Sequence, residues 1–483
     1  MDLFWHRRDP RLRDNAGLAA AAAAAAARND RVVPVFAYDA ELLETVGARR
    51  RALSLRSLAA LQRRYRERGS ALVVRSGDPA TVLPDLAAEY GAERVTYNEH
   101  YRPARRERER AVASALADDG VETDARTDLV VVDPDRLAAS YPNHGRFRDD
   151  WDAVPTPDPY PAPEAGRFAD VGGERSVRAV AADASGDLDV GDPDPFRADV
   201  DLPTAGHRAA RDRLDDFLSA GIATYADTRD DLARAVEAPT HAVSRLSPYL
   251  ATGAIGIREV WAAATDALEA AATDDVRRNV EKYRDELTWR EQQYHLLYYA
   301  PDLAESNYRS FPNPIAWRED DAGFDAWKRG ETGYPLVDAG MRQLEAEGYV
   351  HNRPRQVVAS FLTKHLLVDW RRGARWFMER LVDADHASNH GMWQWIASTG
   401  TDSVDVRIFD PVSQAAKYDP EATFVREYVP ELREVPADTV VDWPTLSPEE
   451  REDLAPDYPH PIVDRDAAYE RAKRVFEEAL GKR

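Results

Sequence analysis

The 483-residue chain contains no cysteine. Disulfides, thiolate metal sites and cysteine nucleophiles are therefore excluded, and no metal site is expected. Lysine is almost as scarce. Only 6 of the 64 basic residues are lysines, against 86 Asp and Glu, and the net charge is −22. There is no apolar run of about eighteen residues, so no membrane span is expected. The first residues, MDLFWHRRDPRLRDN, lack the apolar stretch of a signal peptide, and a cytoplasmic location is expected. No glycine-rich phosphate fingerprint follows the first candidate strand, which argues against a dinucleotide site there.

Most of this acidity keeps the surface solvated. Abundant Asp with little Lys points to a salt-rich cytoplasm, where added charge is heavily screened. Such a surface is unsuited to general nucleic-acid binding, although a basic patch confined to a cleft remains compatible with it.

The length allows two or three domains. Residues 1–130 alternate candidate strands (2–5, 32–36, 71–75, 94–97, 121–124) with helical stretches (15–27, 49–66, 80–90, 102–118). That alternation predicts a parallel sheet covered by helices. Residues 131–200 have little periodicity and many Asp, Gly and Pro, and read as an irregular connector. From 201 to 483 the pattern is helical, with helices expected over 208–220 and 466–480.

The polar content of residues 334–401 is unusual. Short helices are expected over 337–344, 355–368, 373–381 and 389–397, each apolar on one side. Along them lie Asn352, Arg353, Arg355, Asp383, Asp385 and Asn389, with Trp370, Trp393 and Trp395 nearby. A buried helical cluster must give such groups partners or a ligand. Three polar groups from each side and three indoles predict a cavity for something large, planar and polar at its edge.

The phrases TGYPLVDAGMRQL, HNRPR, ASFLTKHLLVDW, LVDAD and WQWIASTGTD resemble the flavin-binding core of the DNA photolyase and cryptochrome family. They are most similar to class I photolyases that repair cyclobutane pyrimidine dimers. The resemblance covers the first 130 residues loosely and 202–475 firmly. It implies an N-terminal Rossmann-like antenna-type domain and a larger all-helical domain that binds FAD and DNA. FAD would be bound non-covalently, and a deazaflavin or a reduced folate is the expected antenna. The run Tyr97, Asn98, Glu99, His100, Tyr101 and Arg102 either lines an antenna pocket or forms a surface loop. The reaction implied is light-driven splitting of a dimer by an electron from reduced FAD, in a monomeric protein acting on DNA.

The resemblance also implies residue roles. Tyr225 and the phrase Ser244, Arg245, Leu246, Ser247 match the dinucleotide clamp, with Val243 where the family has threonine. Alone, SRLS reads as an ordinary helix start. Tyr283, Glu286 and Arg290 lie on the helix of ELTWRE, and Glu286 with Trp289 matches the cavity floor. Unaided, that stretch is an amphipathic helix with a surface glutamate. Arg355 with Asp383, Asp385 and Asn389 would surround the flavin ring, Asn389 facing its central nitrogen. Glu286, Asn352 and Gln356 would hold the flipped pyrimidines, and Trp289 and Trp395 would wall them. Trp317, Trp370 and Trp393 match an electron-carrying tryptophan chain; unaided, each reads as a packing residue. Arg229, Arg342, Arg353 and Arg407 would meet phosphates or the cavity rim.

Several positions depart from the family pattern. Pro10 stands where leucine is usual, Gln292 where an aromatic is common, and YPNHGRFRDDW only weakly echoes an aromatic and basic phrase. Gln356 replaces the methionine of class I enzymes and looks like the DASH branch. The histidine pair of (6-4) photolyases is absent, which disfavours that repair. Two other readings stay open: a blue-light photoreceptor cryptochrome, DASH-like included, and a helical scaffold that kept only the fold.

Overall fold

The structure is a computed structural model that describes residues 1–172, 174–185, 194–401 and 406–482. Asp402, which closes the phrase WQWIASTGTD, and residues 186–193 of the expected connector lie outside this description.

The first domain is a five-stranded sheet: β1 (Asp2–Trp5), β2 (Val32–Tyr38), β3 (Val73–Ser76), β4 (Arg94–Asn98) and β5 (Glu122–Arg126). Their order is β3-β2-β1-β4-β5 and every pairing is parallel. Such a sheet needs cover on both faces. Helices α1 (Ala16–Ala27), α2 (Ala48–Arg66), α3 (Pro79–Tyr90) and α4 (Pro103–Asp118) provide it. Phe4, Leu18 and Leu58 fill one face; Leu3, Val33 and Leu83 fill the other. β1 is the central strand, and the chain steps outward from it in both directions. A crevice therefore opens at the carboxyl ends of the strands.

The described residues between 131 and 200 are more regular than the expected connector. They contain α5 (His144–Asp152) and α6 (Val177–Ser185). Between these, Phe168 forms a parallel bridge to Val32 and packs edge-on against Tyr65. The sequence hides this because the elements are too short for helical periodicity to register.

The helical domain is built on α7 (Ile257–Glu269), α8 (Asp274–Tyr299), α9 (Pro335–Glu347), α10 (Asn352–Ser360), α11 (Trp370–Arg380), α12 (His386–Ala397) and α13 (Arg465–Ala479). The helix expected over 355–368 is shorter in the structure. It becomes a π-helical turn at Phe361–His365. Lys364, fully buried there, donates to Ala397 O at 2.6 Å and Ser398 Oγ at 3.0 Å. The wider turn brings this amine to the end of α12, where Ser398 is left-handed with φ 65°.

The two domains meet at a buried charge network. Arg258 on α7 donates to Asp14 Oδ1 at 2.7 Å and also bonds Asp128. Arg11 bonds Asp128 as well and reaches Gly253 O at 3.0 Å. All four side chains are buried. A Cβ at Gly256 would overlap the Asp14 carboxylate, so only glycine permits this approach.

Arg258→Met would leave Asp14 and Asp128 buried with one guanidinium between them. Breaking a buried pair in this way costs roughly 3–5 kcal/mol. The expected outcome is a much lower midpoint in denaturant unfolding; an unchanged midpoint would contradict the assignment.

Candidate functional site

The Cβ direction on a helix puts residues three and four apart on one face. On α8 this aligns Glu286, Trp289, Arg290 and Gln293; on α10, Asn352, Arg355 and Gln356; on α12, Asn389, Met392, Trp393 and Ile396. These faces converge on a cavity of about 470 Å³. Tyr225, Arg229, Ser244, Leu246 and Ser247 close one side, and Asp383 and Asp385 another. Where α8 and α12 touch, a Cβ at Gly391 would overlap the Gln293 amide.

Contacts of Asp383 and Asp385 define the inner wall. Arg355 Nη2 lies 3.4 Å from both Asp383 oxygens. Asp385 caps α12 by accepting from Ser388 N at 2.9 Å. Its Oδ2 also accepts from Tyr294 Oη at 2.6 Å and Arg8 Nη2 at 2.6 Å. Burial opposes that negative charge, but Arg8 and then Arg290 hold the Asp385 carboxyl far below the usual carboxylate range. Asn389 donates to Ala374 O at 3.0 Å, which leaves its carbonyl oxygen available.

At the mouth, Glu286 pairs with Arg229 and with Lys282 Nζ at 2.8 Å. Trp289 and Trp395 meet edge-to-face at 6.2 Å. Arg407 lies over the Trp395 ring at 3.8 Å. His144 stacks on Trp289 with centroids 3.8 Å apart and planes at 12°. It is anchored to Gln292 Oε1 at 2.9 Å. Sequence reasoning passed over His144, although YPNHGRFRDDW carried a trace of it. Arg8 was also missed as a site residue; two arginines at the end of a strand were the signal.

Not every expected residue reaches the cavity. Arg245 has φ 50° and turns to Glu347 Oε2 at 3.0 Å and the Tyr349 ring at 3.8 Å. Val243 packs in the core beneath. Arg342 is held by Glu431 at 2.7 Å and Gly330 O at 3.0 Å, away from the rim. Of the three tryptophans, Trp393 lines the cavity, seated against Gly373. Trp370 is fully buried, its indole donating to Asn307 Oδ1 at 3.0 Å, and half-buried Trp317 packs on Phe476. Both belong to the core around Trp393 rather than to the cavity wall.

Residues 2–164 match a family model described as DNA photolyase, and residues 283–478 one described as FAD binding domain of DNA photolyase. A deoxyribodipyrimidine photo-lyase of Halobacterium salinarum is 44% identical over 100% of both chains. The chain belongs to the DNA photolyase/cryptochrome family. Within it, the class I assignment is overturned. The solved structure of a class III photolyase from Agrobacterium tumefaciens matches at 34% identity and TM-score 0.83, covering 100% of this chain and 98% of the other. A cryptochrome DASH of Natronomonas pharaonis is 35% identical over 96% of this chain and 98% of its own. Of the phrases that suggested class I, HNRPR, LVDAD and WQWIASTGTD supply cavity-lining residues, whereas TGYPLVDAGMRQL supplies none.

The cavity fits the flavin cofactor that this FAD-binding domain implies. Its lining sets Arg355, Asp383 and Asn389 beside apolar and aromatic side chains such as Leu246, Leu250 and Trp393, the mixture that a large planar ring with a polar edge requires.

Four histidines close to this region are kept neutral, chiefly by burial. His351, which caps α10, is pulled down to about 3; His365 and His390 to about 4; His386 to about 2. An unfolded chain takes up protons near the ordinary histidine value of about 6.5, while the folded chain refuses them. Their contribution to stability is therefore complete above about pH 6.5 and is lost as pH falls toward about 4. Flavin release, read by fluorescence between pH 7 and 4, should follow that fall; retention throughout would contradict it.

Proposed function

We propose that the protein is a light-driven DNA repair lyase that splits cyclobutane pyrimidine dimers. The observation carrying this reading is the two-sided cavity. Polar groups Glu286, Asn352 and Gln356 line one part of it and the Trp289–Trp395 pair another, as a flipped pair of pyrimidines requires. FAD held beside Arg355, Asp383 and Asn389 would supply light-driven one-electron chemistry that side chains cannot.

The chain's own residues position and exclude. Arg355 and Asp383 orient the flavin edge, with Asn389 offering a carbonyl oxygen to the ring. Asp385, held by Arg8 and Tyr294, fixes the start of α12 and hence Asn389. Glu286 has one oxygen taken by Arg229 and Lys282, so its other oxygen can bond the pyrimidine edge and favour charge arriving there. Trp289 and Trp395 keep water from the reacting bases. Arg229, Arg353 and Arg407 stand near the mouth for phosphate contact.

A second pocket supports an antenna. It lies at the carboxyl ends of the strands and is lined by Trp5, Arg50, Arg51, Arg102, Arg105 and Arg108. Burial, then the nearby Arg8, lowers Arg50 to about 10. Burial and neighbouring arginines lower Arg105 well below the usual range. Arginine does not give up its proton in proteins, so these directions express an unmet demand for an anion. A deazaflavin or a reduced folate with an acidic tail meets it.

Gln356 and the likeness to a cryptochrome DASH favour one other reading, a blue-light receptor without repair. Thymine-dimer oligonucleotides decide between them: the flavin-loaded protein should restore them under blue light and leave them intact in the dark. No restoration would overturn the repair reading. Glu286→Gln should slow repair by roughly tenfold, the scale of one lost charged hydrogen bond. Trp393→Phe should slow photoreduction of the flavin while a chemically reduced sample still repairs. Equal photoreduction rates would remove Trp393 from the electron path.

A further inference from the structure

The indole of Trp289 makes no hydrogen bond among the described residues, so ring contacts alone set its plane. Trp395 meets it edge-on at 6.2 Å, and its face-to-face partner is His144, with centroids 3.8 Å apart and planes at 12°. Trp289 lines the cavity and His144 does not. The imidazole therefore covers the indole face turned away from the cavity.

The imidazole is itself pinned. Nδ1 meets the Gln292 side-chain amide at 2.9 Å, and Nε2 lies 3.4 Å from both Asp285 Oδ1 and Thr288 Oγ1. Lys282 Nζ donates to Asp285 Oδ2 at 2.7 Å and Arg148 Nη1 to its Oδ1 at 2.5 Å. Burial opposes the charge on Asp285, but His144, Lys282 and Arg148 together hold its carboxyl far below the usual carboxylate range. Asp285, Trp289 and Gln292 lie along one stripe of α8, so the ring is held at both ends across the indole it backs. The backbone beneath is fixed as well. His144 opens α5, which Asn143 caps by accepting from Arg146 N at 3.0 Å. Phe147 and Trp151 bury that helix against His295 and Trp261. Two departures from the family pattern, Gln292 and the phrase YPNHGRFRDDW, thus meet in one contact.

We propose that His144, brought from the connector, is a positioning residue for lesion binding: it holds the Trp289 indole in the plane on which a turned-out pyrimidine stacks. The proposal rests on the repair reading above. A base gains its stacking energy from an indole lying parallel to it. An indole without backing turns about its side-chain bonds in the free protein and must be ordered when the base arrives, which weakens binding. With a pinned ring behind it, that ordering is complete before DNA binds. The effect falls on the turned-out base, since a base that stays in its strand does not reach Trp289. It does not fall on the flavin, because His144 lies outside the cavity.

The test measures, in the dark, the affinity of the FAD-loaded full chain for a single-stranded oligonucleotide with one thymine dimer and for the same strand undamaged. His144→Ala should lower the preference for the dimer about fivefold, with flavin content and undamaged-strand affinity as in the wild type. With dimer saturating, repair per absorbed photon should not change. His144→Phe keeps a flat ring and should restore most of the preference. Gln292→Leu frees the imidazole and should lower the preference in the wild type, yet do nothing in the His144→Phe background, where no bond to Gln292 is used. An unchanged preference in His144→Ala overturns the proposal, as does a His144→Phe protein that loses as much as His144→Ala. Should His144→Ala fail to hold flavin, Gln292→Leu decides: equal losses in both backgrounds overturn the proposal. A wild type that binds the dimer no better than the undamaged strand overturns the repair reading, and this role of His144 with it.

Discussion

The cavity depends on a contact made far from it in sequence. Arg8, just beyond the first strand, crosses to the helical domain and binds Asp385 at 2.6 Å, with Ala251 O at 2.6 Å on the same guanidinium. Asp385 caps α12, the helix that carries Asn389, Trp393 and Trp395. Removing Arg8 from this place would leave a buried carboxylate with Tyr294, the helix end and the more distant Arg290. What keeps Arg8 there is the network a few residues on, in which Arg11, Asp14, Asp128 and Arg258 neutralise one another out of water. Buried charges of this kind contribute little net stability, yet they are costly to separate. They therefore suit a joint whose geometry matters more than its strength. Glycine at 253 and 256 lets the two backbones approach closely enough to make it.

The same residues make Arg8 the shared wall of two pockets, the flavin cavity and the cationic crevice at the end of the sheet. The side of Arg8 facing α12 has its anion in Asp385. On the other side, Arg50 and Arg105 form no ion pair among the described residues, and Asp39 in the same crevice is paired with Arg108 at 2.8 Å. One domain interface thus produces a satisfied site and an unsatisfied one, and the second fits an anionic ligand held close to the flavin cavity.

Local patterns in the sequence were enough to find the strands, the order of the domains and the helical faces at 286–293, 352–356 and 389–396. Each depends on spacing within one element, which periodicity reports directly. What the sequence could not show was partner choice across the fold. Arg245 follows Ser244 in a phrase suited to a phosphate, but its left-handed backbone sends it to Glu347. Arg342 lies in the densest family phrase and ends on Glu431. His144 comes from a stretch without periodicity and supports Trp289 from behind. The break after Ser360 was equally hidden, because the π-helical turn answers the need of Lys364 to reach the end of α12. The branch was hidden as well: the phrases read as class I markers did not separate class I from the class III and DASH relatives that the whole chain resembles.

On the proposed repair reading, an acidic protein must still accept a polyanion. The mouth is not a basic patch in the ordinary sense. Arg229 and Lys282 are matched by Glu286, and Arg353 by Asp230. Arg407 spends its face on Trp395. Few full charges remain for phosphates, so counterion release contributes less than in a basic binder, and concentrated salt removes less. Affinity must then come from stacking and from hydrogen bonds to the turned-out bases, which salt screens poorly. On this view the pairing of the rim arginines has two effects. It holds Glu286 and Gln356 in set orientations, and it shifts recognition from the DNA backbone to the lesion itself.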